Sequence, residues 1–384
     1  MIQRFRPDPR DLLPRLHVIA QLKPALGRAH VVGIRGFESH AATSQRVRRN
    51  NGKWNLNFSL PPLPFAFILP APFTMANATP EQPVIRHIAN LWSLRDTPSA
   101  RKPWPLERKI AAIKDAGFDG FTDLATPKHR QLAEKHGLII VGYLACSKLD
   151  EFRPLLQQNK DAGARHINVQ LGDHDTSTSD AVRLALRLMH EAHALHVEAA
   201  VEVHRDTCTE TPEKTYALAD GYQRIAIELL PITWDYSHLA VVKHLAPPFW
   251  DRLLIRPDLI QRSCQFHFRP FNGHHCQVPV TNGRGRLSPE VQDWLPLVER
   301  CLEVWLLGNQ AGRELFAVPE MGPVSSGYNL HHLPDSWSEA IKLRGLIDKA
   351  WRTALNRVAR RKKPAPLGLH RRAQLGATGG RLSV

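Results

Sequence analysis

An acid, a histidine and an arginine close an apolar run in the middle of this 384-residue chain: Val197 to Thr207 reads VEAAVEVHRDT, with Glu202, His204 and Arg205 at its polar end. An apolar stretch of strand length that stops at charge is how a buried parallel strand reads when its carboxyl end opens into a site. Three later stretches repeat the arrangement. Ile232 to His238 (ITWDYSH), Cys264 to Pro270 (CQFHFRP) and Leu315 to Pro323 (LFAVPEMGP) each carry one good metal ligand at the strand end: Asp235, His267 and Glu320. Taken singly, Asp235 or Glu320 reads as a surface or capping carboxylate and His267 as a satisfied, semi-buried imidazole. Four such residues on four successive strand ends read instead as one site. An oxygen-rich set with a single imidazole suits one divalent ion, Mn, Mg, Co or Zn.

Something must bring those strand ends together. From Val84 onward short apolar runs alternate with amphipathic helices that close on glycine. Pro105 opens a helix whose Leu106, Ile110 and Ile113 share a face and which ends at Gly117, before a strand over Phe118 to Leu124. The cycle repeats as Pro127 to His136, Gly137, Leu138 to Ala145, and again as Asp150 to Ala162, Gly163, His166 to Gly172. A helix over Ser179 to His193 then leads into the Val197 strand. Recurring helix-Gly-strand units predict a parallel sheet, and with Ile88 to Ser93 as the first strand the Val197 strand is the fifth. The sixth is expected near Ile225 to Asp235 and the seventh over Gln265 to Arg269. Ala240 to Arg262 is expected to be an irregular wall, and Asn272 to Leu287 a lid-like loop whose His274 and His275 are not assigned as ligands. Pro289 to Trp305 is a helix before the eighth strand, and the last helix places Ala340, Leu343, Ile347 and Trp351 on one face.

The order Glu, Asp-x-x-His, His, Glu on strands five to eight resembles the xylose isomerase-like TIM barrels, the sugar phosphate isomerase and epimerase superfamily. The similarity runs from about Asn90 to Tyr328, and its specific pieces are EVHRDTCTETPEKT at 202–215, WDYSH at 234–238, HFRPFNGHHCQVP at 267–279 and PEMGP at 319–323. The resemblance implies an α/β fold, a (β/α)8 TIM barrel, with metal ligands at Glu202, Asp235, His267 and Glu320. It implies substrate contacts from His238 and Arg269, joined by His204 and Arg205. It also implies proton transfer next to a carbonyl through an enediolate, with Glu202 and Glu320 as the acid-base pair. The substrate would be a sugar, a sugar phosphate or a sugar acid: no Gly-rich phosphate cradle is present, and Arg205, Arg269, Arg284 and Arg286 would serve a sugar acid equally well. A dehydratase of a cyclic polyol shares the first half-reaction, so these ligands do not separate the two. A phosphodiesterase of the apurinic endonuclease kind needs further histidines where this chain has Thr122-Asp123-Leu124 and Leu144-Ala145-Cys146. A non-catalytic sugar-binding barrel would have no need of all four ligand types.

The formal charge of +15 belongs to the ends. Residues 1–74 hold eleven Lys+Arg against three Asp+Glu, and residues 352–384 nine against none, which leaves the body at −2. A near-neutral body argues against a specific nucleic-acid partner. The apolar run Phe58 to Thr74 is broken by five prolines, so it falls far short of the roughly 20 apolar residues a membrane span needs. Arg48-Arg49 and Ala76-Asn77-Ala78 copy the outline of a twin-arginine export signal, but those prolines spoil its hydrophobic segment and Met75 begins a more ordinary N-terminus. The expected organisation is a disordered or over-extended leader at 1–74, the barrel at 75–357 and a basic, disordered tail at 358–384. Five cysteines without CxxC spacing suit a reduced, cytoplasmic protein; a homo-oligomer is compatible with all of this.

Overall fold

The computed structural model describes residues 82–362 apart from 309; the expected leader, and all but a few residues of the expected tail, lie outside the described residues. Eight parallel strands pair in sequence order and close on themselves: β1 Val84–Asn90, β2 Gly120–Asp123, β3 Ile139–Cys146, β4 Ala164–Leu171, β5 Ala199–Glu202, β6 Ile232–Trp234, β7 Gln265–Phe268 and β8 Glu314–Pro319. Closure runs through β1 and β8, with Val84 opposite Glu314 and His87 opposite Ala317. The fold is a TIM barrel.

Around the strands run α1 Leu106–Asp115, α2 Pro127–His136, α3 Phe152–Asp161, α4 Thr178–Leu195, α5 Pro212–Ala226, α6 Tyr236–Val242, α7 Trp250–Leu253, α8 Pro257–Arg262, α9 Pro289–Leu306 and α10 Ser336–Lys362. Local chemistry starts them. Thr126, Thr211 and Ser288 accept N–H bonds from His129, Lys214 and Val291, with proline in the first helical turn each time. Gly137 ends α2 at φ 61°, a left-handed value that glycine adopts without steric cost. Among the described residues no helix is long and apolar enough to cross a membrane.

The two-residue pleat of the strands sorts the side chains into two layers. Ile88, Val141, Phe316 and Val318 pack together inside the barrel, while the larger core lies between strands and helices. On α10 the predicted stripe is buried; Leu343 and Ile347 are 0% exposed, and each contributes about 1.5–3 kcal/mol.

Beyond shifts of one to three residues at other ends, four departures from the sequence expectation stand out. β1 begins at Val84 and ends at Asn90, because the Asn90 side chain accepts the Trp92 N–H and turns Leu91–Leu94 into a 3₁₀ helix. β6 is three residues long, since Ile225 and Ala226 finish α5 with Ile225 facing solvent. The connection expected to be irregular contains α7, α8 and the end of α6. Finally α10 runs past 357: Val358 extends its apolar stripe into the core, and Arg361 reaches Glu303 at 2.6 Å.

His87, on the outward face of β1, is buried beneath α10 with neither ring nitrogen hydrogen-bonded. Burial, and then the Arg344 charge, push its imidazole below the ordinary histidine value despite Asp348 at 3.7 Å. As pH falls through about 6.5 the unfolded chain takes a proton that the folded chain refuses. Stability should therefore be complete above that value and decline below it. Thermal unfolding between pH 7.5 and 5.5 should show the decline, with a shallower slope in His87→Phe; an unchanged slope would place the sensitivity elsewhere.

Candidate active site and metal centre

A cavity of about 270 Å³ opens at the carboxyl ends of the strands, and its lining includes Glu202, His267 and Glu320. This is the face on which TIM barrels build their sites. Glu202 is the last residue of β5, His267 lies in β7, and Glu320 directly follows β8. All three are buried. Glu202 Oε1 and Glu320 Oε2 each lie 3.0 Å from His267 Nδ1.

Amides hold the other oxygens. Asn168 and Gln170 on β4 donate to Glu202 Oε2 (2.8 and 3.0 Å), and Asn90 at the end of β1 donates to Glu320 Oε1 (2.9 Å). Tyr143 on β3 donates to the Gln170 amide oxygen (2.9 Å), which orients that amide towards Glu202. Burial, then Glu202 and Glu320, push the Tyr143 hydroxyl up to about 12, so it serves as a donor and not a base. Each glutamate thus has one oxygen tied to the barrel and one turned towards the imidazole.

Burial favours the neutral acid at both glutamates. At Glu202 the His267 imidazole outweighs it, at Glu320 Arg269 and then His267 do, and both carboxyls stay below their ordinary range. Burial likewise works against a charged His267, but the two glutamates reverse it and hold the ring protonated well above its ordinary value.

The fourth expected ligand stands apart. Asp235 is the N-cap of α6, its Oδ1 accepting from the Ser237 N–H (3.0 Å) and hydroxyl (2.6 Å). Its Oδ2 receives Arg269 Nη2 at 3.0 Å, and the same nitrogen lies 2.8 Å from Glu320 Oε2. Arg269 therefore fills the space between Asp235 and Glu320, where the four-ligand reading expected shared coordination. Positions 235 and 269 directly follow the neighbouring strands β6 and β7 and are both buried, and a buried guanidinium needs carboxylates. Arg269, the expected substrate contact, lines the cavity; its Nη2 is engaged by the two carboxylates, while its Nε and Nη1 make no hydrogen bond.

His238 does not line the cavity. Its Nε2 lies 3.4 Å from Asp235 Oδ2, and burial, then His204 and Arg269, hold the ring well below its ordinary value. His204 and Arg205 do line it, with the His204 ring edge-on to His238 at 4.5 Å. His274 lies beside His244, the rings tilted at 45° with centres 5.6 Å apart, and is exposed.

The residues present fit a divalent ion. One ligand atom from each of Glu202, His267 and Glu320 falls within a 4.8 Å sphere of the others. Gln265 Oε1 is buried without a hydrogen bond, and His267 Nδ1 and Glu320 Oε2 meet their charged neighbours at 2.8–3.0 Å outside hydrogen-bond geometry. The Gln265 amide nitrogen sits 2.8 Å from His267 Nε2; with that amide turned over, its oxygen would accept an Nε2–H and the Nδ1 lone pair would face the two glutamates. Charge agrees: three carboxylates against one guanidinium leave two negative charges, which a divalent ion beside a neutral imidazole balances.

No family model matches the chain, and no curated protein matches it. Solved barrels do. A 3-keto-D-glucoside 4-epimerase from E. coli is similar at 14% identity and a TM-score of 0.44, over 68% of this chain and 98% of that one. A probable 3-DHS dehydratase from Bacillus anthracis gives 15% and 0.38 over 67% and 97%. A sugar phosphate isomerase/epimerase from Parabacteroides distasonis gives 11% and 0.44 over 70% and 94%. At these identities the architecture stands on the strand register of this chain itself.

Sequence reasoning missed Asn90, Tyr143, Asn168 and Gln170, together with the aromatic wall of Trp92 and Tyr328. The two rings meet edge-on at 5.0 Å, and Arg269 lies over both. Gly322 permits this packing, since a Cβ there would fall 2.4 Å from the Trp92 ring. The pleat held the signal for the amides: His166, Asn168 and Gln170 are alternate residues of one strand, so all three point the same way.

Proposed function

We propose that this barrel is a divalent-metal-dependent isomerase or epimerase of a small sugar, moving a proton on a carbon next to a carbonyl. One observation carries the reading: two glutamates from β5 and β8 turn a single oxygen each towards the same buried imidazole at the floor of the cavity. The cavity volume lies near the small end of ligand pockets, roughly 300–1,000 Å³, which suits a monosaccharide.

Glu202, His267 and Glu320 would hold the ion. When bound, it supplies positive charge to the carbonyl and neighbouring hydroxyl oxygens, which lowers the cost of the enediolate. Glu202 and Glu320 take and return the proton, one from each side of the substrate, because a carboxylate that faces the ion through one oxygen keeps lone-pair capacity on the other, beside its amide donors, for a proton. Asn168, Gln170 and Asn90 fix the orientation of those carboxylates. Trp92 and Tyr328 offer apolar ring surface to a sugar face and exclude water from the rim.

The test is exchange of carbon-bound hydrogen with deuterated water, screened over aldoses, ketoses and inositols with Mn, Mg, Co or Zn added. Exchange that depends on metal and yields an isomer or epimer supports the proposal. Exchange followed by loss of water points to a dehydratase, and no exchange with any sugar removes the reading.

A further inference from the structure

We infer that Arg205 reads an anionic group, a carboxylate or a phosphate, on the substrate; the inference rests on the site above taking a sugar. Arg205 stands on the loop after Glu202, and that loop is braced from within. Thr209 Oγ1 donates to the Glu202 carbonyl (2.6 Å), Thr207 Oγ1 to the His204 carbonyl (2.7 Å), and the His204 N–H to Thr209 Oγ1 (3.3 Å).

An exposed arginine ordinarily samples many rotamers, and that freedom is lost when it binds. Here the side chain is already held. Its Nε donates to the Tyr328 hydroxyl at 2.7 Å, and the guanidinium carbon lies 5.3 Å from the centre of that ring. With Nε engaged, the edge formed by the two Nη groups remains, a fork that matches a carboxylate or a phosphate.

The neighbouring acid does not occupy that fork. Asp206 is bound to His174 Nδ1 at 2.6 Å, and no carboxylate among the described residues pairs with Arg205. Tyr328 thus lies between two guanidiniums of different fate. Arg269, 4.5 Å from the ring centre, is committed to Asp235 and Glu320, while Arg205 lines the cavity with its charge unmatched. Arg95, which also lines the cavity, adds positive charge without an ion pair among the described residues. A neutral sugar would leave this fork without a counter-charge; a uronate or a sugar phosphate would supply one.

Calorimetric titration of the full chain with D-glucuronate, D-glucose 6-phosphate and D-glucose tests the inference. At low salt at least one anionic sugar should bind more tightly than D-glucose by about tenfold or more, the range a bidentate charged pair supplies. Which of the two does so identifies the group. The gap should close in Arg205→Met, and it should narrow in Arg205→Lys, which keeps charge without the fork, and in Tyr328→Phe, which keeps the ring but frees Nε. Equal binding of all three sugars, failure of both anionic sugars to bind, or a gap that survives Arg205→Met and disappears only in Arg95→Met overturns it. Hydrogen exchange is read separately: an anion preference lost with Arg205 but without exchange removes the proposed reaction and keeps this subsite, while exchange on sugars without any preference does the reverse.

Discussion

Glu202→Gln and Glu320→Gln are each expected to slow completed isomerisation or epimerisation by about 100- to 10,000-fold, the usual cost of losing one general base. Glutamine keeps nearly the shape of glutamate but has one oxygen in place of two, so that oxygen either accepts from the amides of Asn168, Gln170 or Asn90 that hold these side chains or faces the ion. Coordination through an amide oxygen is weaker for want of charge, so ion content must be measured beside the rate. The informative feature is asymmetry. If each glutamate serves one face, each variant should still wash deuterium into one epimer while failing to complete inversion, and the two variants should favour opposite epimers. Variants that hold the ion and turn over near the parental rate would force the base elsewhere, with His204, which lines the same cavity, the next candidate.

Arg269→Met is expected to destabilise the fold by about 3–5 kcal/mol, because removing one partner of a buried ion pair strands the others. Two carboxylates depend on that guanidinium, Asp235 at 3.0 Å and Glu320 at 2.8 Å, and the side chain is almost wholly buried. The same geometry separates the proposed ligands from their support. Added Mn or Zn should raise the unfolding temperature of the parent by linkage, and His267→Ala should abolish that rise. In Asp235→Asn the starting temperature should fall while most of the metal-linked rise persists, since its oxygens serve Ser237 and Arg269. His274→Ala should change neither. A metal-linked rise that vanished in Asp235→Asn would restore the four-ligand set read from the sequence.

The barrel was legible in the sequence because parallel strands buried on both faces read as apolar runs, and helices that close on glycines such as Gly137 and Gly163 mark the units between them. The charged strand ends were legible for the same reason, since Glu202, His267 and Glu320 interrupt apolar runs at points where burial must be compensated. The contrast with the terminal charge was legible too, because it needs only counting. The partners of each charge were not. Asp235 and Arg269 lie 34 residues apart, and only the packing of β6 beside β7 decides that the carboxylate meets a guanidinium. Asn90, Asn168 and Gln170 carry no charge to mark them, and their role exists only because the sheet pairs β4 with β5 and its closure sets β1 beside β8. Trp92 and Tyr328, near opposite ends of the barrel sequence, meet for that same reason. Residue type and period set what each strand end can offer, whereas the atoms that converge in the cavity were decided by the closure of the sheet.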